Sequence, residues 1–442
     1  MYATEVLAEF GAACSGRALT PSVERAAKRA LVDWYASVFP GFETVPVRLL
    51  TKTLSADFGP ERVPLVAGGQ TNARTAALIN GAAAHAAEVD DSFREGMYHP
   101  GAATIAAALA AGQEVGADGA AFLRAVVAGY EISTRIGVVL GRAHYRYWHN
   151  AGTVGTFGAA AAAACLYGLD ARAYAHALAT VATFAAGLQQ AFRMDSMSKP
   201  LHTGRAAEAG VLAAALARRG LTGSLDVLDG SDGLGRAMSD GPDWSSVGAT
   251  LGQIFNIERL TFKNHIGCGH TFQAIDGVIE LQRGAGLAVA EIARVRIGTY
   301  KPALNIACYG LPTTANEARF SFPFVVATAL IHGSVRMGAF EASRLADPEI
   351  RSLMQRIEVV VDPELDALFP RQRAARIAID CHDGRRFQHF QPNRKGDPED
   401  PLTDDDLTGK FRELASPVIG VDNADTLLGR LWSAETAAAL DW

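Results

Sequence analysis

From Ser22 to about Val38 the apolar residues Val23, Ala26, Ala27, Ala30, Leu31 and Trp34 recur at three- and four-residue spacing, the period of an amphipathic helix. The same period runs through roughly 72–90, 101–115, 117–140, 153–167, 170–188, 203–219 and 269–284. Many of these stretches consist largely of alanine and glycine, and the interaxial distance of packed helices shrinks with the side chains between them. A chain with this pattern is confined to a compact helical bundle over its first 264 residues.

After Ile292 the texture changes. The segments ARVRIGTY, QRIEVVVDPE and ARIAIDCHDGRRFQHFQ alternate apolar and polar residues with many β-branched side chains, the signature of strands. Asp383-Gly384 lies between two alternating runs and reads as a hairpin turn, because both residues tolerate positive φ. Phe322 to His332 and Ala342 to Arg356 read as helices between the strands. The expected architecture is therefore mainly α. A large helical domain spans 1–264 and is completed by 397–442, and a smaller α+β domain occupies 265–396. The polar, proline-broken stretch NRKGDPEDPLTDDDL joins the two.

Composition narrows the function. With 49% apolar and 20% charged residues, the 442-residue chain is neither disordered nor a fibrous rod. Forty-one basic and 47 acidic residues give a net charge of −6, and no Lys/Arg block is present, so neither nucleic acid nor a membrane surface is an expected partner. Glu5 and Glu9 interrupt the first apolar stretch, which argues against a secretory signal. The longest apolar run, around Phe157 to Gly168, is too short and too rich in small residues to span a bilayer. Cysteines 14, 165, 268, 308 and 381 are widely spread without a C-x-x-C pair, so the expected location is a reducing cytoplasm.

Four polar neighbourhoods stand out against the alanine-rich background. The first is His85-Ala-Ala-Glu88-Val-Asp90-Asp91-Ser92, followed by Tyr98-His99-Pro100-Gly101. Its carboxylates either form a solvated helix end or orient and tune His99. In the second, His144-Tyr145-Arg146-Tyr147-Trp148-His149-Asn150 runs into a Gly/Thr-punctuated helix start. Unpaired N–H groups and the dipole make such a start receptive to an anion, yet the stretch lacks both glycine-rich nucleotide motifs. The third, Arg193-Met-Asp195-Ser-Met-Ser198-Lys199-Pro200-Leu-His202-Thr-Gly204-Arg205, places cations beside another helix start, either as a basic surface turn or as a carboxylate cradle. The fourth is Phe262-Lys263-Asn-His265-Ile-Gly267-Cys268-Gly269-His270. It completes no metal-ligand pattern, so no metal is expected; Lys263, His265 and Cys268 are instead read as ligand-facing.

Histidines, lysines, a tyrosine and carboxylates without a cofactor motif suit proton transfer on a small anionic substrate. Removing a proton α to a carboxylate needs a base and cations that stabilise the resulting aci-carboxylate. The candidate acid–base groups are Lys199, His149, His99 and Tyr145, and the candidate substrate-binding groups are Glu88, Asp91, Ser92, His202, Arg205, Lys263, His265 and Cys268.

At these same neighbourhoods the chain resembles the MmgE/PrpD family, which includes 2-methylcitrate dehydratase, cis-aconitate decarboxylase and iminodisuccinate epimerase. The ordered blocks are RAAKRALVDWYA, the His85–Asp91 stretch with His99-Pro-Gly, GYEISTRIG, HNAGTVGTFGAAAAAACLYGLD, KPLHTGRAAEAG, FKNHIGCGHTFQAID, EARFSFPFVVATAL and KGDPEDPLTDDDLTGKFRELA. The resemblance implies a helical domain with a smaller α+β domain, a homodimer, no cofactor and a polycarboxylate substrate. Carried over block by block, it implies site roles for Glu88, Ser92, His99, His149, Lys199, Lys263 and Cys268. Glu88 stands where the family usually has Asp, Ser92 stands for Thr, and Cys268 stands where decarboxylase-like members carry histidine. These departures favour an epimerase or isomerase, with a hydro-lyase as the alternative and a decarboxylase or a non-catalytic carboxylate-binding protein behind it.

Overall fold

Several helices begin in the same way, with a short polar side chain turned back onto the first turn. Thr20 accepts from Val23 N–H, Asn72 from Thr75 N–H at 3.0 Å, Asp118 from Ala121 N–H at 2.7 Å and Asp170 from Ala173 N–H at 2.8 Å. The computed structural model describes residues 1–59, 63–194 and 196–442. Contacts divide the chain into a larger unit, Met1–Phe262 with Thr403–Trp442, and a smaller one, Lys263–Leu402.

The larger unit is helical, as its sequence period requires. Its main helices are Pro21–Phe42, Ala73–Ala86, Pro100–Val115, Gly119–Tyr145, Asn150–Leu166, Ala171–Ala182, Lys199–Arg218 and Asp404–Ile419. Ala151, Val154, Phe157 and the run Ala159–Ala164 are wholly buried, so the Asn150–Leu166 helix lies at the centre of the unit. Small residues make that packing possible. A Cβ on Gly129 would collide with Thr104 and the Gly158 carbonyl, and one on Gly41 would collide with the Ala83 carbonyl. The helix expected over 170–188 ends at Ala182, and the chain then runs as a loop through Gly187 at φ 128°. That conformation favours glycine.

The closing Asp404–Ile419 helix packs against Pro21–Phe42. Lys410 is buried there, donating to Asp33 Oδ1 at 2.5 Å and to the Val89 carbonyl at 2.8 Å. The C-terminal segment thereby holds the backbone next to Glu88. Among the described residues no helix is long and apolar enough to cross a membrane.

The smaller unit carries a four-stranded mixed sheet. Ile292–Thr299 lies between Ile357–Val361, parallel to it, and Ala375–Cys381, antiparallel, and Arg386–Gln391 completes the edge. Val295, Ile297, Ile377 and Ile379 are fully buried, and helix Phe272–Ala285 packs on the sheet. Gly384 takes φ 88° between the last two strands, with its N–H donating to the Cys381 carbonyl. Two details differ from the sequence reading. The helix expected over 342–356 is two short helices, Ala342–Leu345 and Pro348–Met354, because Asp347 caps the second and Pro348 disfavours helical backbone before it. The smaller unit also extends through Leu402 rather than ending at 396, since Asp397 is paired with the buried Arg394 at 2.5 Å.

Removing one partner of a buried ion pair leaves an uncompensated charge, which typically costs about 3–5 kcal/mol. Lys410→Met is therefore expected to lower the urea midpoint sharply, and Asp33→Leu combined with Lys410→Met to recover part of the loss. Equilibrium unfolding of the three proteins checks this.

Candidate active site

Three of the proposed acid–base residues stand at the N-termini of helices in the larger unit. His99 is the N-cap of Pro100–Val115, and Pro100 keeps it extended. His149 is the N-cap of Asn150–Leu166, and Lys199 is the first residue of Lys199–Arg218. Each helix brings the partial positive charge of its unpaired N–H groups to its first turn, which favours a bound anion.

The side chains form one continuous cluster. The rings of His85 and His99 are 4.9 Å apart, those of His85 and His149 5.3 Å, and those of His149 and His202 5.2 Å. Phe192 meets His149 edge to face at 4.9 Å, and Lys199 Nζ lies 5.1 Å from the Phe192 ring centroid. Lys199 pairs with Glu88. Glu88 has φ 61°, a left-handed backbone uncommon for a non-glycine residue, and its side chain reaches the ammonium from there.

Hydrogen bonds assign several tautomers. His99 Nδ1 lies 2.7 Å from the Asp91 carbonyl, which can only accept, so that nitrogen carries the hydrogen and Nε2 is the basic one. His85 Nδ1 donates to Asp90 Oδ2 at 2.7 Å, and its buried Nε2 has no hydrogen-bond partner. His149 Nδ1 faces His202 Nδ1 at 3.0 Å. Burial, then the neighbouring His85 and Lys199, then His202 and His99, hold the His149 imidazole well below the usual histidine range. Burial, then His85 and Lys199, bring His202 to about 4. Both rings are thus neutral bases at neutral pH, beside a cation.

Asp91 and Arg205 point elsewhere. Asp91 is buried and binds Tyr130 Oη at 2.8 Å and Gly101 N–H at 3.0 Å, so it supports the start of the Pro100–Val115 helix instead of facing a ligand. Burial, then the Asp33 and Asp90 charges, raise its carboxyl to about 8. Arg205 is exposed and pairs with Glu208 on its own helix, outside the histidine cluster. Tyr145 ends the Gly119–Tyr145 helix, and its carbonyl accepts from Gln189 Nε2 at 3.1 Å. The backbone of Ser92 bridges to Thr261, with both N–H···O distances 2.8 Å. Asp195 lies outside the described residues.

In the smaller unit, the loop carrying Lys263, His265 and Cys268 is buried. His265 Nε2 is 2.8 Å from Asp276 Oδ1, while its buried Nδ1 has no partner. His270 Nδ1 turns instead to Tyr300 Oη at 2.9 Å, so the two histidines do not converge on Cys268. Gly267, at φ 113°, lets the loop pass close to the Arg319 backbone, where a Cβ would stand 2.9 Å from the carbonyl oxygen. That glycine serves the fold. The described residues approach a cation-binding set at His85, Asp90 and His99, each offering one atom within 4.8 Å of the others. The Nδ1 hydrogens of both rings are directed at oxygen acceptors, that of His85 at the Asp90 carboxylate and that of His99 at the Asp91 backbone carbonyl.

The sequence assigns His85 no role, takes Asp90 only as one of the carboxylates beside His99, and does not single out Phe192, Tyr130 or Lys410. The five-residue spacing of His85 and Asp90 across a helix end was the available signal for that pair. No local pattern marked the others.

Residues 5–247 match the MmgE/PrpD N-terminal domain, and residues 265–433 match the MmgE/PrpD C-terminal domain. The chain is 29% identical to a cis-aconitate decarboxylase-like protein of Aspergillus oryzae, covering 93% of this chain and 90% of that protein. It is 27% identical to cis-aconitate decarboxylase of Homo sapiens, covering 93% and 87%. The cis-aconitate decarboxylase of Aspergillus terreus is 24% identical over 78% of this chain and 74% of its own length.

Asp91 generates a pH test. Its folded-state value, about 8, lies above the value of about 4 for a solvated carboxyl, so its contribution to stability is fully present below the lower value and is lost as pH rises through the upper one. Asp91→Asn, which mimics the neutral acid, is expected to flatten the fall in stability between those two values, as measured by urea unfolding at a series of pH values.

Proposed function

Because the chain belongs to the MmgE/PrpD family, we propose that it is a cofactor-independent acid–base enzyme that moves a proton at the carbon beside a carboxylate of a succinate-like di- or tricarboxylic acid. The observation that carries this reading is a buried, neutral His149 in one cluster with the Lys199 ammonium, which Glu88 holds in place. The Lys199 charge and three helix N-termini favour a carboxylate at the cluster. His149 then takes the proton from carbon, and the C–H electron pair moves into the carboxylate to form an aci-carboxylate. The adjacent cation stabilises the added negative charge. The Lys199 ammonium, which carries a proton, returns one to the carbon and is left as the neutral amine.

Return of the proton on the opposite face makes the reaction an epimerisation, the outcome favoured by Cys268, Glu88 and Ser92 standing where the family pattern differs. A lyase is the second reading, favoured by the names of the relatives, which are cis-aconitate decarboxylases. The family resemblance further supports a homodimer. The wide spread of the five cysteines, without a C-x-x-C pair, supports a reducing, cytoplasmic site of action.

Proton NMR in D2O tests the reading with iminodisuccinate, 2-methylcitrate, citrate and cis-aconitate in separate samples. Deuterium entering the α carbon of an unchanged skeleton, together with loss of optical rotation, supports epimerisation. A new olefinic product supports a lyase. Neither exchange nor product with all four acids overturns the proposal. Lys199→Ala and His149→Ala are each expected to lower turnover by about 100-fold or more with circular dichroism unchanged. Since His149 stays neutral well below pH 6.5, the acid limb of kcat/KM is expected below that pH.

A further inference from the structure

The contact between His149 Nδ1 and His202 Nδ1, at 3.0 Å, imposes a condition that neither ring meets alone. Two imidazole nitrogens at this distance share one hydrogen; two bare lone pairs or two N–H groups would repel. If His149 holds that hydrogen, its Nε2 is a base. If His202 holds it, His149 Nε2 carries a hydrogen and is an acid. The tautomer of one ring therefore sets the chemistry of the other.

The surrounding chain fixes this contact. Gly187, at φ 128°, accepts the backbone N–H of His149 through its carbonyl at 2.9 Å. A Cβ on Gly187 would stand 3.0 Å from His202 Nδ1, and one on Gly152 would stand 2.9 Å from His202 Cβ. His202 thus occupies a seat bounded by two glycines, held to the N-cap residue of the Asn150–Leu166 helix. His149 is 3% exposed, whereas His202 is only half-buried.

We propose that His202 is a positioning residue for His149, presenting it as the Nδ1–H tautomer and accepting that hydrogen when His149 Nε2 takes a proton from the substrate carbon. The inference rests on the acid–base reading above. The balance is closed: the C–H bond breaks and an Nε2–H bond forms on His149, the His149 Nδ1–H bond breaks, and an Nδ1–H bond forms on His202. His149 ends neutral. His202, hydrogen-bearing on both nitrogens, ends as the cation. The positive charge moves from the deeply buried ring to the one nearer solvent, where it costs less. Burial and the neighbouring His85 and Lys199 hold both rings below the usual histidine range, and only His202 has a solvent-facing side on which a charge can be hydrated. The charged and titratable groups facing the pair are His85, with Asp90 behind it, His99, and Lys199 with Glu88. A substrate carboxylate beside Lys199 adds negative charge that assists the transfer.

Two measurements test this. In resting protein labelled with 15N-histidine, long-range 15N–1H correlation at neutral pH is expected to show His149 as the Nδ1–H tautomer and His202 as the Nε2–H tautomer. Finding His149 as the Nε2–H tautomer, with either tautomer of His202, or finding His149 charged, overturns the proposal whether or not any substrate is known. With whichever of the four acids above is turned over, His202→Gln is expected to lower kcat roughly 10- to 100-fold with KM little changed. Its proton inventory in H2O/D2O mixtures should be linear where that of the native enzyme is bowed. Glutamine retains an acceptor but cannot carry the proton onward. Native kcat in the variant, or a loss confined to KM, counts against the relay. Failure of the native enzyme on all four acids bears on the functional reading alone, since the NMR result stands without it.

Discussion

The close approach of helices lined with alanine and glycine is the constraint on which the larger unit depends. Where Gly129 meets Gly158 and Gly41 meets Ala83, any side chain would push two backbones apart. Tight packing leaves little freedom in where each helix starts, and the starts of Pro100–Val115, Asn150–Leu166 and Lys199–Arg218 carry His99, His149 and Lys199. The candidate acid–base side chains are positioned by rigid elements at their ends. This gives them the fixed geometry of a helix together with the orphan N–H groups that only a terminus has.

Electrostatics then divides the labour among chemically similar residues. Asp90 and Asp91 are neighbours in sequence, yet one accepts from His85 while the other is buried against Tyr130 and the Gly101 N–H. Glu88, two residues earlier, turns to Lys199. Like charges this close repel, and the structure relieves the repulsion by giving each carboxylate a separate partner and by raising Asp91 until it holds its proton. The histidines divide in a comparable way. Burial beside Lys199 keeps His149 and His202 neutral, so the cluster combines an ammonium with bases that do not compete with it for negative charge.

Much of this was legible in the sequence because it is periodic or local. The helical period located the main helices, alternation located the strands, and Asp383-Gly384 marked the hairpin. What was not legible depends on pairings between distant segments. Lys410 reaches the Val89 carbonyl across 321 positions of chain, and nothing in LTGKFREL distinguishes that lysine from a solvated one. His202 meets His149 across 53 positions. Arg205 and His202 do not form a carboxylate cradle, because their side chains take different partners: Arg205 is exposed and pairs with Glu208, whereas half-buried His202 turns to His149. Asp91 misled for a different reason. Its burial against Tyr130 depends on where Gly119–Tyr145 packs, which composition does not report.

Glu88 joins these threads. Its left-handed backbone costs of order 1 kcal/mol, and such conformations persist only where the surroundings hold them. Here Lys410, tied to Asp33, grips the next carbonyl, and the Lys199 ion pair engages the side chain. Since Lys410 lies on a helix near the C-terminus and Lys199 begins a helix in mid-chain, the loop around Glu88 takes its shape only when both segments have docked. The residues that hold the candidate base beside its cation thus depend on the completed fold of the larger unit, which explains why this polar cluster can sit within an otherwise alanine-rich bundle without a local sequence motif to mark it.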